Sequence, residues 1–390
     1  MSSKFSYFDY AASTPLDPDV LEAMLPYFRE YFGNPSSFHL AGQRAAGAVE
    51  QARSSVASLI NCEAEEITFT SGATESNNLA IRGIALKEKE QRGATRILTT
   101  AVEHPSVLET CRQLEQQWGF TLEFLPIDST GQVQIEKLKE HIREDTALVS
   151  IVYANNEIGT INPITHIGAL CRERGIPFHS DAAQSANHLT LDVDLLNVDL
   201  MTLGAHKFYG PQGVGVLYHR QPTPFIVAQT GGSQEFGTRA GTHNVPAIVG
   251  LAKALEIARS LKSELTPRFE AWRDEIIETL ETTIPDAILT GHRHQRLSNH
   301  ISFAFKDTDA NQLLAALDMS GLACSSGSAC KTGNPKPSPV LLALGLDSAW
   351  AQGPLRITLG RGTTDSAVES LISSVPDILN RLRTKHIASQ

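Results

Sequence analysis

Two cysteines, Cys324 and Cys330, stand six residues apart in LACSSGSACKTGNPKPSP (322–339), a stretch of serine, glycine and proline. The chain holds five cysteines in all, Cys62, Cys111 and Cys171 being the others. Their odd number and the lack of any CxxC pair argue against a disulfide framework and against a tetrahedral zinc site. A cysteine with a special role here is therefore a reactive thiol, and composition alone does not say which one.

Four further stretches carry residues suited to chemistry. Lys207 lies in VDLMTLGAHKFYGPQGVGVLYH (198–219), between two apolar runs and among Gly204, Gly210 and Gly213. A lysine held in such a tight, dry loop can lose its proton and act as a Schiff-base nucleophile; the alternative is a strand-end lysine reaching to solvent. Asp181 in FHSDAAQS (178–185) ends an apolar run, where a carboxylate needs donors or a cation, or else caps the next segment. TFTSGATESNNLAI (68–81) turns at Ser71-Gly72 into a helix whose free N–H groups suit a phosphate, although Ser and Gly also serve as plain turn and cap. His104 in VEHPSVLET (102–110) precedes a helix opening at Pro105. A phosphate site, a carboxylate for a pyridinium nitrogen, a ring to stack on and an aldehyde-binding lysine are together the parts pyridoxal phosphate requires.

These residues must be positioned by repeating elements. From about residue 45 to 260, short apolar runs (EITFT, RILTT, TLEFLPI, ALVSIVYA, IPFHSD, VDLMTL, VGVLYH) read as buried strands, separated by helices over 74–88, 105–118, 134–143 and 163–174. That alternation predicts a mostly parallel sheet with helices on both faces, and VGVLYH fits an antiparallel member. The candidate residues fall just past the strands, where such sheets bind ligands. A long helical stretch from Val245 reads as a connector to a smaller C-terminal unit with NHISFAF, LRITLG and a closing helix.

The chain has 390 residues, 41% hydrophobic and 19% charged, with a formal charge of −10 and no Lys/Arg cluster, so no nucleic-acid footprint is present. No apolar run approaches the roughly 18–20 residues of a membrane span, and MSSKFSYFDYAASTP has no leader pattern, so a cytoplasmic location is expected. Neither a P-loop nor a GxGxxG turn occurs, and His292 and His294 of GHRHQ lack further metal ligands.

The ordered series YFDYAASTPLDP, FGNPSSFHLAG, FTSGATESNNLAI, EHPSVLETC, NNEIGTINPI, DAAQS, AHKFYGPQGVGVLY, GGSQEFGTRAGT, SSGSAC and LRITLGRGTT resembles the class V aminotransferase-like cysteine desulfurases of the NifS/IscS type. The resemblance implies an α/β fold of PLP fold type I, with a seven-stranded, mostly parallel sheet in a large domain over 15–260. A small α+β domain over 1–14 and 261–390 would carry a mobile loop at about 323–338. It implies a homodimer that binds pyridoxal 5'-phosphate, takes sulfur from L-cysteine as an enzyme persulfide, and hands it to an iron–sulfur scaffold or another acceptor. Carried over by position, Lys207 is the Schiff-base lysine, His104 the stacked ring and acid/base candidate, and Asp181 the pyridinium partner. Gln184 bonds the phenolic oxygen and Asn156 lies beside cofactor and substrate. Ala73, Thr74, His206 and, from the other subunit, Thr242 hold the phosphate. Arg356, assisted by Asn34, pairs with the substrate carboxylate, a task its planar fork suits. Gly204 stands where the family has Ser or Thr. Cys330 is the sulfur-accepting nucleophile, bracketed by Gly327 and Gly333 and followed by Pro335, Pro337 and Pro339, while Cys324 packs at the base. No metal is expected in the chain itself, although Cys330 can ligate a cluster on a scaffold in passing. A selenocysteine lyase, another PLP lyase and a non-catalytic sulfur-pathway adaptor are the alternative readings.

Overall fold

The computed structural model describes residues 5–223, 225–327 and 337–388. Its strands are, in chain order, β1 (Ser6–Tyr7), β2 (Ile67–Thr70), β3 (Arg96–Thr99), β4 (Thr121–Phe124), β5 (Thr146–Ser150), β6 (Phe178–Asp181), β7 (Leu200–Gly204), β8 (Gly215–His219), β9 (Ala287–Leu289), β10 (His300–Phe305), β11 (Leu322–Ala323) and β12 (Pro354–Thr358). Seven of them form one sheet in the order β2-β8-β7-β6-β5-β3-β4. Only β8 runs against its neighbours, as the apolar run after the lysine loop suggested. This is the mostly parallel sheet of the fold-type I architecture.

Strands β5 to β8 are buried at every residue because helices cover both faces, which is why they read as continuous apolar runs. One face packs on Val49, Val56 and Ile60 of the helix Leu40–Ile60 and on Ile248, Leu251 and Leu255. The other face packs on Leu79, Ile84, Val107 and Leu114. β4 departs from the expected buried strand: it is the outer strand of the sheet, and its Thr121 and Phe124 are exposed.

The helix Val245–Thr283 runs 39 residues with Pro267 inside it. Its first part lies on the sheet core, and its second part sends Phe269, Trp272, Ile276 and Leu280 into a separate core. That second core is closed by the antiparallel sheet β12-β10-β9, with Phe303 and Phe305 stacked at 5.9 Å. β1 leaves the N-terminal region to pair in parallel with β11, Ser6 opposite Leu322 and Tyr7 opposite Ala323. Among the described residues no helix is long and apolar enough to cross a membrane.

Candidate active site

Because β8 is antiparallel to both β2 and β7, strands β2, β3, β5, β6 and β7 all end at one edge of the sheet. The turns that follow them surround a cavity of about 650 Å³. Ala73, Thr74 and His104 line it from the first two turns, and Asn156, Asp181 and Gln184 from the next two. His206 and Lys207 follow β7, and Arg356 closes the cavity from β12.

Lys207 ends the short 3-10 turn Ala205–Lys207 and donates from Nζ to the carbonyls of Ala11 (2.7 Å) and Ala12 (2.8 Å). Burial lowers its pKa to about 8, helped by the positive charge of Arg356 and opposed by Asp181 and Asp9. A substantial share of this amine is therefore neutral near physiological pH. His206 beside it is pushed down to about 4 by burial and by Lys207.

Asp181 is almost fully buried. It accepts from Asn77 Nδ2 (2.7 Å) and from the Ala183 N–H (3.0 Å), which answer the demand for donors. Asn77 also donates to Ser106 Oγ (2.9 Å), and that hydroxyl meets His104 Nδ1 at 2.7 Å. The Ser106 N–H donates to the same Nδ1 (3.1 Å), so in the neutral ring the proton sits on Nε2. Withdrawal from bulk water lowers the His104 pKa, with Asp181 opposing. Behind it, burial raises Glu103 to about 8; it accepts at Oε1 from Thr100 Oγ1 (2.7 Å) and the Val152 N–H (3.0 Å), tying the His104 turn to the segment that follows β5.

The helix Ala73–Arg92 starts after Gly72 without a side-chain cap, so its first N–H groups face the cavity. A Cβ on Gly204 would sit 3.2 Å from Ala73 Cβ and 3.6 Å from its nitrogen, so this glycine borders the helix start and offers no hydroxyl there. An uncapped helix start, a buried carboxylate with fixed donors and a lysine of lowered pKa around one cavity fit a phosphorylated pyridine aldehyde. The residues present thus suit pyridoxal phosphate.

Arg356 is 4% exposed. Its Nη2 bonds Asp9 Oδ1 (2.6 Å) and its Nη1 the carbonyl of Asn156 (2.9 Å), while buried Nε has no partner among the described residues. Its backbone exchanges hydrogen bonds with Ser325 (2.6 and 3.1 Å), so it also anchors the start of the segment that carries Cys330.

Cys330 lies outside the described residues. Burial raises the thiols of the four described cysteines: Cys62 and Cys111 to about 12, Cys171 and Cys324 beyond that. Cys324 packs against the second core, as expected. Thr242 and Asn34 do not line the cavity within the chain. Thr242 is exposed, and Asn34 is exposed with its side-chain oxygen taking the Ser36 N–H (2.9 Å), so the expected help of Asn34 to Arg356 does not arise within one chain. Asn77, Ser106 and Asp9 were not singled out from the sequence. Each stands inside a quoted motif, but Asn77 meets Asp181 across 104 positions and Asp9 meets Arg356 across 347, while Ser106 joins its near neighbour His104 to Asn77 across 29.

The model for "Aminotransferase class-V" matches residues 6–371. A cysteine desulfurase IscS of Dictyoglomus turgidum is 44% identical over 378 residues, 97% of this chain and 95% of the relative. One of Methanosarcina thermophila is 44% identical over 381 residues, 98% of this chain and 93% of the relative. Among solved structures, a NifS-like protein superposes with a TM-score of 0.90 at 36% identity, covering 97% of this chain and all of the other. SspA in complex with cysteine does so at 0.78 and 37% identity, covering 90% of this chain and 98% of the other. With fold, cavity and full-length likeness in agreement, the chain belongs to the class-V aminotransferases and, within them, to the pyridoxal phosphate-dependent cysteine desulfurases of the IscS and NifS type.

Proposed function

We propose that this chain takes sulfur from L-cysteine, leaving L-alanine and a persulfide on Cys330 for transfer to an acceptor such as an iron–sulfur scaffold. The observation that carries the reading is one cavity faced by both the Lys207 amine and the buried Arg356 guanidinium, an amine-exchanging group opposite a carboxylate anchor. Pyridoxal phosphate supplies an electron sink for the carbon that loses its proton.

The remaining roles fall to the chain. Arg356 holds the substrate carboxylate through donors not taken by Asp9 and Asn156. With the cofactor bound, Asp181 would pair with the pyridine nitrogen, and the helix start at Ala73 and Thr74, with His206, would hold the phosphate. Lys207 Nζ takes and returns protons, its pKa of about 8 suiting that task near neutrality. His104 offers Nε2 for a second proton transfer, its Nδ1 being occupied by Ser106. The Cys330 thiolate attacks the substrate sulfur: the S–S bond forms, the C–S bond breaks with its electron pair left on carbon, and protonation of that carbon gives alanine.

Residues 15–260 act as the cofactor domain and 1–14 with 261–390 as the second, a division supported by the two separate cores. The working unit is a homodimer in which Thr242 serves the neighbouring subunit. Exposed Phe32, Phe38 and Leu40, close in sequence to Asn34, and Phe236, close to Thr242, support a covered surface there. Cys330→Ala is expected to keep the yellow cofactor absorbance and lose sulfide release from L-cysteine. Normal release by that variant would sink the persulfide reading.

A further inference from the structure

His300 begins β10 and is completely buried, beyond the residues that line the cavity. Its Nε2 lies 3.1 Å from the carbonyl oxygen of Asn156, the same oxygen that receives Arg356 Nη1 at 2.9 Å. A carbonyl only accepts, so Nε2 carries the hydrogen and Nδ1 holds the lone pair. That Nδ1 is buried with no partner among the described residues. Burial and the nearby charges of Arg296 and Arg356 hold the ring neutral, far below its usual pKa. Its space depends on Gly159, at φ +75°, where a Cβ would stand 2.7 Å from the ring.

A buried imidazole with an unmet acceptor is a poor choice for packing alone, since leucine fills similar space without an orphaned atom. What the imidazole adds is a second donor on the Asn156 carbonyl. His300 is paired across β10 and β12 with Thr358, and Arg356 with Ser302, so the two side chains are diagonal neighbours on one sheet face.

We propose that His300 is a positioning residue for substrate carboxylate recognition: by holding the Asn156 carbonyl from one side, it fixes the acceptor on which the Arg356 guanidinium is aligned. This rests on the reading of Arg356 as the carboxylate anchor. Asp9 fixes the guanidinium at Nη2 and the Asn156 carbonyl fixes it at Nη1, which leaves the Nε edge in a set direction. Loosening the carbonyl loosens one of those two supports. The loss appears in the binding of the carboxylate, and not in Lys207 or Asp181, which His300 does not touch.

The test compares His300→Leu, His300→Gln and Arg356→Gln in the cofactor-loaded protein, reading KM and kcat for L-cysteine and the thermal midpoint. Gln places an amide nitrogen at the same bond count from Cβ as Nε2. The His300→Leu protein is expected to show a KM raised about five-fold, the scale of one neutral hydrogen bond, with kcat within about two-fold and an unchanged or higher midpoint. His300→Gln is expected to return KM to near its starting value, and Arg356→Gln to raise KM further than His300→Leu does. If the Leu protein does not fold, His300→Asn, whose amide is too short to reach the carbonyl, takes its place with the same expected KM. An unchanged KM in the Leu or Asn variant beside a raised KM in Arg356→Gln overturns the role of His300 alone. Leu and Gln raising KM equally, or a kcat falling together with the midpoint, overturns it in favour of packing. An unchanged KM in Arg356→Gln removes the anchor itself, and the proposal with it.

Discussion

Lys207 offers a quantity that can be measured without turnover. With an ordinary lysine pKa of 10.5 lowered to about 8 by burial, the neutral amine at pH 7 rises from roughly 0.03% to roughly 9%, about 300-fold. Its charged neighbours push in opposite directions, Arg356 down and Asp181 and Asp9 up. Asp181→Asn is therefore expected to lower the Lys207 pKa further, and Arg356→Gln to raise it. Competitive acetylation of the cofactor-free protein between pH 6 and 11, followed by mass spectrometry of the peptide holding Lys207, reads the titration directly. A midpoint near 10.5 in the unaltered chain, or both variants moving the same way, would refute the electrostatic account of this lysine.

His179 is fully buried between Ser150 Oγ (2.8 Å) and Thr202 Oγ1 (3.1 Å), and burial lowers its pKa to about 4. The unfolded chain takes up this proton near pH 6.5 and the folded chain only near 4, so the stability it supports is intact above 6.5 and lost as pH falls between them, about 2 kcal/mol at pH 5. Urea unfolding of His179→Gln should show a smaller drop from pH 7 to pH 5 than the unaltered chain, and an equal drop would count against this origin. Glu157 Oε2 accepts from Ser338 Oγ (2.8 Å), the hydroxyl that also caps the helix Pro339–Ala343. Glu157→Ala is expected to lower stability by about 1 kcal/mol in denaturant titration, with Glu157→Gln milder; no change in either would mean the Ser338 contact contributes nothing.

Much of this architecture was legible because it is local. Strand and helix alternate with clear periods, and Lys207, Asp181 and His104 each sit within a few residues of a strand end, where such sheets bind ligands. Pairings across the chain were not legible. Asp9 meets Arg356 over 347 positions, and Asn77 reaches Asp181 over 104, with no periodic signal linking them. Edge placement was hidden for the same reason: Thr121–Phe124 has a strand composition, but only strand order decides that one side has no neighbour. His300 read as part of an apolar run because its partner is a backbone carbonyl, which no residue type announces. Pro267, a usual helix breaker, sits within one continuous helix that leans on one core up to Ala258 and on another from Leu265 onward.

The pairing of β1 with β11 bears on the order in which the protein can be built. Residues made first, Asp9 and the carbonyls of Ala11 and Ala12, complete a site whose other half, β12 with Arg356, is made some 347 positions later. The sheet and its helices can collapse around their own core as they are synthesised, but Lys207 meets its final surroundings only when the chain has passed residue 358 and its opening segment has come back to it. A chain truncated before β12 would thus lack Arg356 beside the lysine, and the surroundings that lower the Lys207 pKa would be complete only late in folding.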